Sequence, residues 1–387
     1  MASANIAKYA FIDALRGWAI LGVVLVHTHQ WLPATSDSLR SIAQRGSLGV
    51  QLFFMTSALT LFLSLHSRFR WEKNPFKAFF IRRFFRIAPL FYLAVAFYLW
   101  KDGLQPRFWA PDGLSLREIV STITFTNGWH PTTINSVVPG GWSIALEMSF
   151  YCFVPLFFLI FSNIRKSVIG LFFFLAVGFG ITLVMKKVLS PLWSEYSPEL
   201  IRSFFFMWLP SQLAIFCMGF ALYFILNMID KKTLSQRSYA YFALFLSISF
   251  MYIFSDFYGR HVFYGVAFML FACALKIYPH LIFVNRLVCS LGTLSFSVYL
   301  SHFAVISGFE EIGLAHFLGR FFSGDAKTLA GLLCVLTASA MVSKLTYEAV
   351  ERPGIRLGTR IIKQLGYSDH HAVNRQGSGP AVVGSVQ

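Results

Sequence analysis

The sequence predicts an all-α protein that crosses a membrane about ten times and keeps both termini in the cytoplasm. Three observations carry this prediction. Hydrophobic residues make up 56% of the 387-residue chain and charged residues only 13%, whereas a soluble domain is usually about 25% charged. The mean hydropathy is +0.61. The lysines and arginines are also distributed unevenly along the chain. A chain this apolar cannot bury its surface in a water-soluble globule, so it belongs in a bilayer.

The apolar stretches give the individual spans. A spanning helix needs about 20 mostly apolar residues, and ten stretches meet this requirement: 11–31, 46–66, 84–100, 142–162, 167–188, 203–228, 238–257, 260–277, 290–312 and 327–348. Arg16 interrupts the first stretch. Only a few residues separate 238–257 from 260–277.

The basic residues give the orientation, because cytoplasmic loops of membrane proteins are enriched in lysine and arginine. The segment after the second span and the start of the third carry Arg68, Arg70, Lys73, Lys77, Arg82, Arg83 and Arg86. With this segment inside, both termini are inside, and 20 of the 33 lysines and arginines face the cytoplasm. Topology and anionic lipid headgroups therefore explain the net charge of +16, and no nucleic-acid partner is predicted.

The remaining segments are short. The outer loop 101–141 contains "SLREIVSTITFTNGW", which is expected to lie on the membrane interface or to dip into it. We expect a transmembrane domain over residues 1–355 and a basic, mostly disordered cytoplasmic tail over 356–387. Asp13 and Arg16 interrupt the apolar core of a signal peptide, so the first helix is expected to be retained. The five cysteines lie singly in apolar runs, which predicts neither a disulfide nor a metal site.

The first span contains two ionisable side chains, Arg16 and His27. Eleven residues return to nearly the same helix face, and the two positions lie roughly 16 Å apart along the axis. Asp13 lies three residues before Arg16 and can pair with it. Ionisable groups inside a span are costly. Either Arg16 reaches the interface while His27 is simply hydrogen-bonded, or both face one cavity that binds a phosphate-type anion near Arg16 and supports acid–base chemistry near His27.

Arginines at the start of the third span are a second candidate site. Arg82, Arg83 and Arg86 fall within one helical turn, so at least two of them share a face. Arginine suits bidentate binding of phosphate. Anchoring of the helix at the cytoplasmic interface explains the same cluster equally well.

The segment "PGGWSIALEMSFY" places Glu147 within the fourth span. A buried glutamate needs a partner. Ser143 lies four residues earlier on the same face, and Trp142 is expected at the interface. Glu147 and His27 are both expected in the outer half of the membrane, which leads to the hypothesis that they pair.

The ninth span contains "LGTLSFSVYLSHFAV", with His302 inside the membrane and Tyr299 nearby. Small polar residues such as Ser295 and Ser301 often serve only helix packing. The closing "YEAVERPG" is, by itself, a signal that ends a helix.

Together these segments resemble the bacterial membrane acyltransferase type 3 family, which includes O-acetylases of lipopolysaccharide, peptidoglycan and other glycans. The resemblance covers about residues 9–355 and begins with the family's pattern of a basic residue, ten residues and a histidine, here Arg16 and His27. The chain departs from the family at Ala58, where glycine is usual. The other matching residues are Phe53, Phe54, Ser57, Arg83, Arg86, Ile87, Pro89, Trp142, Ser143, Glu147, the run "SFSVYLSH", Glu351 and Pro353.

The resemblance implies a membrane-bound O-acyltransferase that uses cytoplasmic acyl-CoA, usually acetyl-CoA, as donor substrate, without a permanently bound cofactor or metal. The acceptor would be a hydroxyl of an envelope glycan or lipid-linked sugar at the bacterial cytoplasmic (inner) membrane. His27 would act as general base or transient acyl carrier, assisted by Glu147 and Asp13. The CoA phosphates would contact Arg16, Arg82, Arg83 and Arg86. Substrate contacts would come from Ser57, Trp142, Ser143, Tyr299 and His302.

The same residues also fit two other classes of protein. A secondary transporter could move protons or an anion past Asp13, Arg16, His27 and Glu147, although the inverted repeats common in transporters are not clear here. A non-catalytic scaffold for envelope assembly would not need His27. The sequence shows no second soluble domain, so transfer is expected to be direct or completed by a separate partner. It identifies neither the acceptor nor the oligomeric state, and it leaves direct transfer and an acyl-histidine intermediate as alternatives.

Overall fold

A computed structural model describes residues 2–229, 237–257 and 259–367, with side chains from residue 10 onward. These residues form helices and contain no β-strand, only an isolated bridge between Arg107 and Ala110. The helices are α1 Ala2–Trp31, α2 Asp37–Arg45, α3 Gly49–Arg68, α4 Pro75–Asp102, α5 Leu116–Ile123, α6 Gly141–Ile160, α7 Ile164–Leu192, α8 Pro198–Met207, α9 Leu209–Met228, α10 Arg237–Ile253, α11 Arg260–Ile277, α12 Arg286–Thr293, α13 Ser295–Glu311, α14 Leu314–Gly319, α15 Gly324–Thr346 and α16 Arg352–Gln364.

The described helices confirm a multi-span membrane protein. Seven candidate spans are long and apolar enough to cross a membrane, and α12 with α13 would make an eighth if that bent pair is one span. Each of the ten predicted stretches coincides with a helix or a helix pair. The third stretch is α4, which is not among the seven, and the seventh is α10, which has only 17 residues. The count of ten and the cytoplasmic termini stay predictions.

Helix α1 lies at the centre of the bundle and contacts its neighbours through glycines. A Cβ atom at Gly22 would lie 3.1 Å from the carbonyl oxygen of Gly46. A Cβ at Gly292 would overlap the carbonyl oxygen of Asp13, so the start of α1 touches α12 backbone to backbone. Small residues allow such close approach between membrane helices.

Ala58, the departure from the family pattern, lies on α3 where that helix crosses α9. Gly219 faces it, and a Cβ atom at Gly219 would come within 2.6 Å of the Ala58 methyl group. The glycine on α9 therefore makes room for the alanine on α3. Beside this crossing, the rings of Phe54 and Phe216 stack with centroids 4.5 Å apart.

The predicted ninth span is broken. Helices α12 and α13 meet at Leu294 and are bent by 83°. Gly292 is pressed against α1 just before the break, and α13 then packs against both α15 and α1. This bend brings Ser295, the first residue of α13, into the interior of the bundle instead of continuing the direction of α12.

The end of the chain differs from the predicted tail. Helix α15 runs into a π-helical turn, Tyr347–Glu351, and then into α16. Gly354 and Gly358 of α16 lie against Phe85 of α4. Residues 356–364, predicted to be mostly disordered, are therefore helical, because small residues let α16 dock on α4. The part of the predicted tail from 368 onward lies outside the described residues.

The segment before α6 enters the protein interior. Asn127, Thr133 and Ile134 are buried. The Asn127 side chain donates to the carbonyl oxygen of Ile134 at 3.1 Å, and Thr133 Oγ1 donates to the Asn127 carbonyl oxygen at 2.8 Å. Irregular backbone is tolerated at depth only where such partners satisfy it. Helix α6 therefore begins inside the bundle and not at its surface.

Two ends of the bundle can be distinguished. We call the end with the α3–α4 connection, residues 69–74, the basic end; there the Lys73 amide donates to the carbonyl oxygen of Tyr367 at 3.0 Å. At the opposite end, Asp325 accepts hydrogen bonds from the backbone amides of Thr35 and Ser36 at 2.8 and 2.9 Å.

Candidate active site

An open cavity with about 670 Å³ of empty space lies between α1, α3, α4, α6 and α13. Seven of the predicted site residues line it, together with eight others. The lining residues are Arg16, Val50, Phe53, Phe54, Ser57, Arg83, Arg86, Ile87, Ser143, Ile144, Glu147, Tyr151, Ser295, Phe296 and Tyr299.

Three arginines make one part of this cavity cationic. Arg16 Nη2 donates to Thr60 Oγ1 at 3.2 Å. Arg83 and Arg86 are three residues apart on α4 and both face the cavity. The Arg83 guanidinium lies 5.9 Å from the ring centroids of Phe79 and Tyr151, and its buried Nε has no hydrogen-bond partner among the described residues. A buried donor without an acceptor fits a site whose ligand supplies acceptor oxygens.

Arg82 does not belong to the cavity. Its two terminal nitrogens bind the two carboxylate oxygens of Glu72 at 2.7 and 2.8 Å. The Glu72 side chain is only 1% exposed, and Arg68 lies 3.9 Å from it. The structure therefore does not place Arg82 with the predicted phosphate-binding arginines. Its guanidinium instead binds Glu72 of the α3–α4 connection, where it neutralises a buried carboxylate.

Glu147 lies in the same cavity as the arginines, but it does not pair with His27. Ser57 Oγ and Tyr151 OH both donate hydrogen bonds to Glu147 Oε1. Glu147 is also within electrostatic reach of Arg16 and Arg83. The predicted pairing with His27 is wrong because α6 begins deep in the bundle, which carries Glu147 towards Arg16.

Ser143 and Tyr299 join α6 to α13 in the cavity wall. Ser143 Oγ donates to the Tyr299 hydroxyl at 2.8 Å, and that hydroxyl donates to the carbonyl oxygen of Gly140 at 3.0 Å. Gly140 has φ +80°, and a Cβ atom there would lie 2.9 Å from the Tyr299 oxygen. Glycine is thus needed at this position for both conformation and space.

His27 lies beside the cavity wall, in contact with other rings and not among the cavity-lining residues. Its ring centroid is 5.3 Å from that of His302 and 4.3 Å from that of Phe303. The Tyr299 ring, which does line the cavity, is 5.9 Å from His302. Tyr299 and His302 therefore connect the arginine-lined cavity to His27. Gln30 Oε1 lies 2.8 Å from His27 Nδ1.

The two remaining predicted residues lie next to the site. Asp13 is within electrostatic reach of Arg16 and Arg86, but no ion pair within 4 Å links it to an arginine of the described chain. Trp142 is buried and packs edge-on against Phe54. Its ring therefore supports the cavity wall and is not exposed as an interfacial residue would be.

Three residues of the site were missed from the sequence. Glu351 is 1% exposed, accepts a hydrogen bond from Ser297 Oγ at 2.9 Å, and is within electrostatic reach of Arg86. Its motif was interpreted as the end of a helix and as a match to the family, and Glu351 was given no role in the site, although a carboxylate in an apolar helix already required a partner. Gln30 and Tyr151 lie three and four residues from His27 and Glu147, the helical spacing that predicts contact.

A multi-pass helical bundle whose interior holds arginines, carboxylates and imidazoles defines a membrane protein with a polar, arginine-lined cavity. The family model described as "Acyltransferase domain" matches residues 9–347. The chain therefore belongs to the acyltransferase type 3 family and is a membrane acyltransferase.

Curated relatives agree with the family. The chain is 23% identical over 385 residues to "Acyltransferase MdmB" of Streptomyces mycarofaciens, and the match covers 91% of this chain and 93% of the relative. It is 28% identical over 183 residues to "Peptidoglycan O-acetyltransferase OatA" of Listeria monocytogenes, covering 41% of this chain but only 27% of that longer protein. No solved structure matches the chain.

Proposed function

We propose that this acyltransferase moves an acyl group, in the first instance acetyl, from cytoplasmic acyl-CoA to a hydroxyl of a cell-envelope glycan or glycolipid. The observation that carries the proposal is the continuity of the site. One cavity holds Arg16, Arg83 and Arg86, and ring contacts from Tyr299 to His302 and from His302 to His27 join its wall to His27. The names of the O-acetyltransferase relatives support the choice of acyl group and acceptor class.

The donor would bind through its phosphates. In the proposed orientation the basic end faces the cytoplasm of the bacterial inner membrane, so that acyl-CoA meets Arg86 and Arg83 first. The unpartnered Arg83 Nε offers a donor to a phosphate oxygen. The carboxylates of Glu147 and Glu351 hold the arginine side chains in place by attraction.

The acceptor hydroxyl would react at His27. Gln30 Oε1 accepts a hydrogen bond from Nδ1–H of His27, which leaves Nε2 with its lone pair. Acyl transfer removes the proton from the hydroxyl, forms a bond between its oxygen and the thioester carbon, breaks the C–S bond and delivers the proton to the CoA sulfur. An imidazole suits this proton transfer near neutral pH.

The test measures free CoA and acyl ester formed from acetyl-CoA by the full-length protein in lipid nanodiscs, with crude envelope glycolipid as acceptor. His27→Ala and Arg16→Ala are compared with wild type, and His316→Ala serves as control because His316 is exposed and outside the site. We expect ester formation to fall about 10²-fold or more in His27→Ala. Arg16→Ala should mainly raise KM for acetyl-CoA.

Unchanged ester formation by His27→Ala would remove His27 from the reaction. If wild type releases no CoA with any acyl-CoA and any envelope fraction, but transports a solute intact down a gradient, the acyltransfer proposal fails in favour of transport.

A further inference from the structure

The imidazole of His302 is a buried group that the proposed reaction has not used. It lies on α13, is 0% exposed and contacts His27. The ring of Phe303 closes the cluster at 4.2 Å from His302 and 4.3 Å from His27. The His302 imidazole therefore lies in a buried surrounding that excludes water.

The hydrogen bonds fix the proton positions on His302. Its Nδ1 lies 3.1 Å from the carbonyl oxygen of Val298, which can only accept, so Nδ1 carries the proton. Nε2 then carries a lone pair, and it is buried without a hydrogen-bond partner among the described residues. A buried acceptor left without a donor is unfavourable, so its retention calls for a functional reason.

His27 has the same arrangement. Its Nδ1 proton is directed to Gln30, and Nε2 makes no hydrogen bond within the part of the chain that the structure describes. Two neighbouring imidazoles thus present two basic nitrogens with no proton between them. Direct transfer from acyl-CoA to a hydroxyl requires one base, so a single-step reaction leaves the second lone pair unexplained.

We propose that the two imidazoles divide the reaction between them: His27 Nε2 carries the acyl group transiently, and His302 Nε2 is the base for the acceptor hydroxyl. This inference rests on the proposed function. His27 is the carrier because it is partly exposed, whereas His302 is fully buried. Nucleophilic catalysis of this kind replaces one difficult step by two easier ones.

The proposed acyl transfer has two steps. His27 Nε2 attacks the thioester carbon, the C–S bond breaks, and the CoA thiolate leaves with the electron pair. The acceptor hydroxyl then loses its proton to His302 Nε2 while its oxygen bonds to the acyl carbon. The bond between that carbon and His27 Nε2 breaks, and its electron pair returns to the nitrogen. The proton on His302 finally passes to the CoA thiolate or to solvent.

Burial of the base has a specific advantage here. An acyl-imidazole hydrolyses readily if a base activates water beside it. While the two rings are in contact, Nε2 of His302 is shielded from water, so in the proposed reaction the base becomes accessible only when a bound acceptor separates the rings. The same shielding that leaves the nitrogen unpaired therefore protects the intermediate.

The experiment separates the two steps in the full-length protein in nanodiscs. Radiolabelled acetyl-CoA is first added without acceptor, and CoA release and label on the protein are measured. Wild type should release about one equivalent of CoA and carry the label on the peptide that contains His27. Crude envelope glycolipid is then added, and transfer of the label to lipid is followed.

His302→Phe keeps a ring of similar size, and His302→Gln keeps a polar side chain that cannot act as a base. Both should retain the CoA burst and protein labelling but transfer the label to acceptor about 10²-fold more slowly. The retained burst itself shows that the variant is folded. His316→Phe should match wild type in both steps.

Three results would overturn the inference. In the first result, the wild-type protein forms ester when acceptor is present but never carries label itself. Transfer is then direct, and the proposed function stands without the intermediate. His302 variants that transfer the label at the wild-type rate, or that lose burst and transfer together, contradict its role in the second step. Absence of both CoA release and ester in wild type would instead refute the proposed function.

Discussion

Replacing Arg82 and replacing Arg83 should have opposite consequences, although the two residues are adjacent. Arg82 forms a two-pronged ion pair with Glu72, whose side chain is 1% exposed, while Arg82 itself is 20% exposed. Arg82→Ala leaves that carboxylate buried without its main partner. Removing one member of a buried pair costs about 3–5 kcal/mol, and partial access of water to Arg82 favours the lower figure.

The expected loss of about 3 kcal/mol corresponds to a fall in the unfolding midpoint on the order of 5 °C. Fluorescence-detected size-exclusion chromatography after heating in detergent would measure this midpoint. Because the cost comes from the uncompensated carboxylate, the double variant Arg82→Met with Glu72→Met should recover most of it. The KM for acetyl-CoA of the folded Arg82→Ala protein should stay within about twofold of wild type.

The reasoning fails if Arg82→Ala keeps the wild-type midpoint but raises KM several-fold. That outcome would return Arg82 to the group of arginines that bind the donor.

Further predictions concern the cavity, the helix crossing and the segment before α6. Arg83→Ala should raise KM for acetyl-CoA about tenfold, because a buried donor to phosphate is lost, while Arg70→Ala, an exposed arginine at the same end, should not. Gly219→Ala should lower the unfolding midpoint. Adding Ala58→Gly should not restore it, because the new methyl group at residue 219 still overlaps the carbonyl oxygen of Met55. Full recovery of the midpoint in the double variant would contradict this geometry. Burial and the charge of Arg117 lower the pKa of His130 to about 4. Its unfolded pKa is near 6.5, so the unfolded state binds the proton first and stability should fall as pH drops from about 6.5 to about 4. His130→Gln should remove this component from melting curves recorded against pH; an unchanged slope would contradict it.

The number and place of the helices were predictable because apolar length alone marks a span. The bend between α12 and α13 was not, since the sequence through Leu294 stays apolar and contains no proline. Gly292, two residues before Leu294, contacts the backbone of α1, and a tertiary contact of this kind cannot be predicted from the local sequence. The helix after Glu351 was missed for a related reason, because its docking depends on glycines that fit against Phe85.

The candidate site, like the fold, could be predicted from the sequence only in part. Helical spacing predicted that at least two of the three clustered arginines share a face, and Arg83 with Arg86 do. It did not say which one would be left out, because the partner of Arg82 is Glu72, ten residues away in a connecting segment. Depth estimates failed for Glu147, since they assumed that α6 starts at the membrane surface. The buried segment 127–140 moves the start of α6 into the bundle. The alternation of polar and apolar residues in the sequence indicates only weakly that this segment is buried.

The glycine contacts of α1 have a mechanical consequence. A helix whose backbone touches α3 at Gly49 and α12 at Gly292 cannot rotate or slide without separating both neighbours. Arg16 and His27 therefore keep a constant spacing along α1. An opening that admits a substrate has to come from movement of the surrounding helices while α1 stays in place.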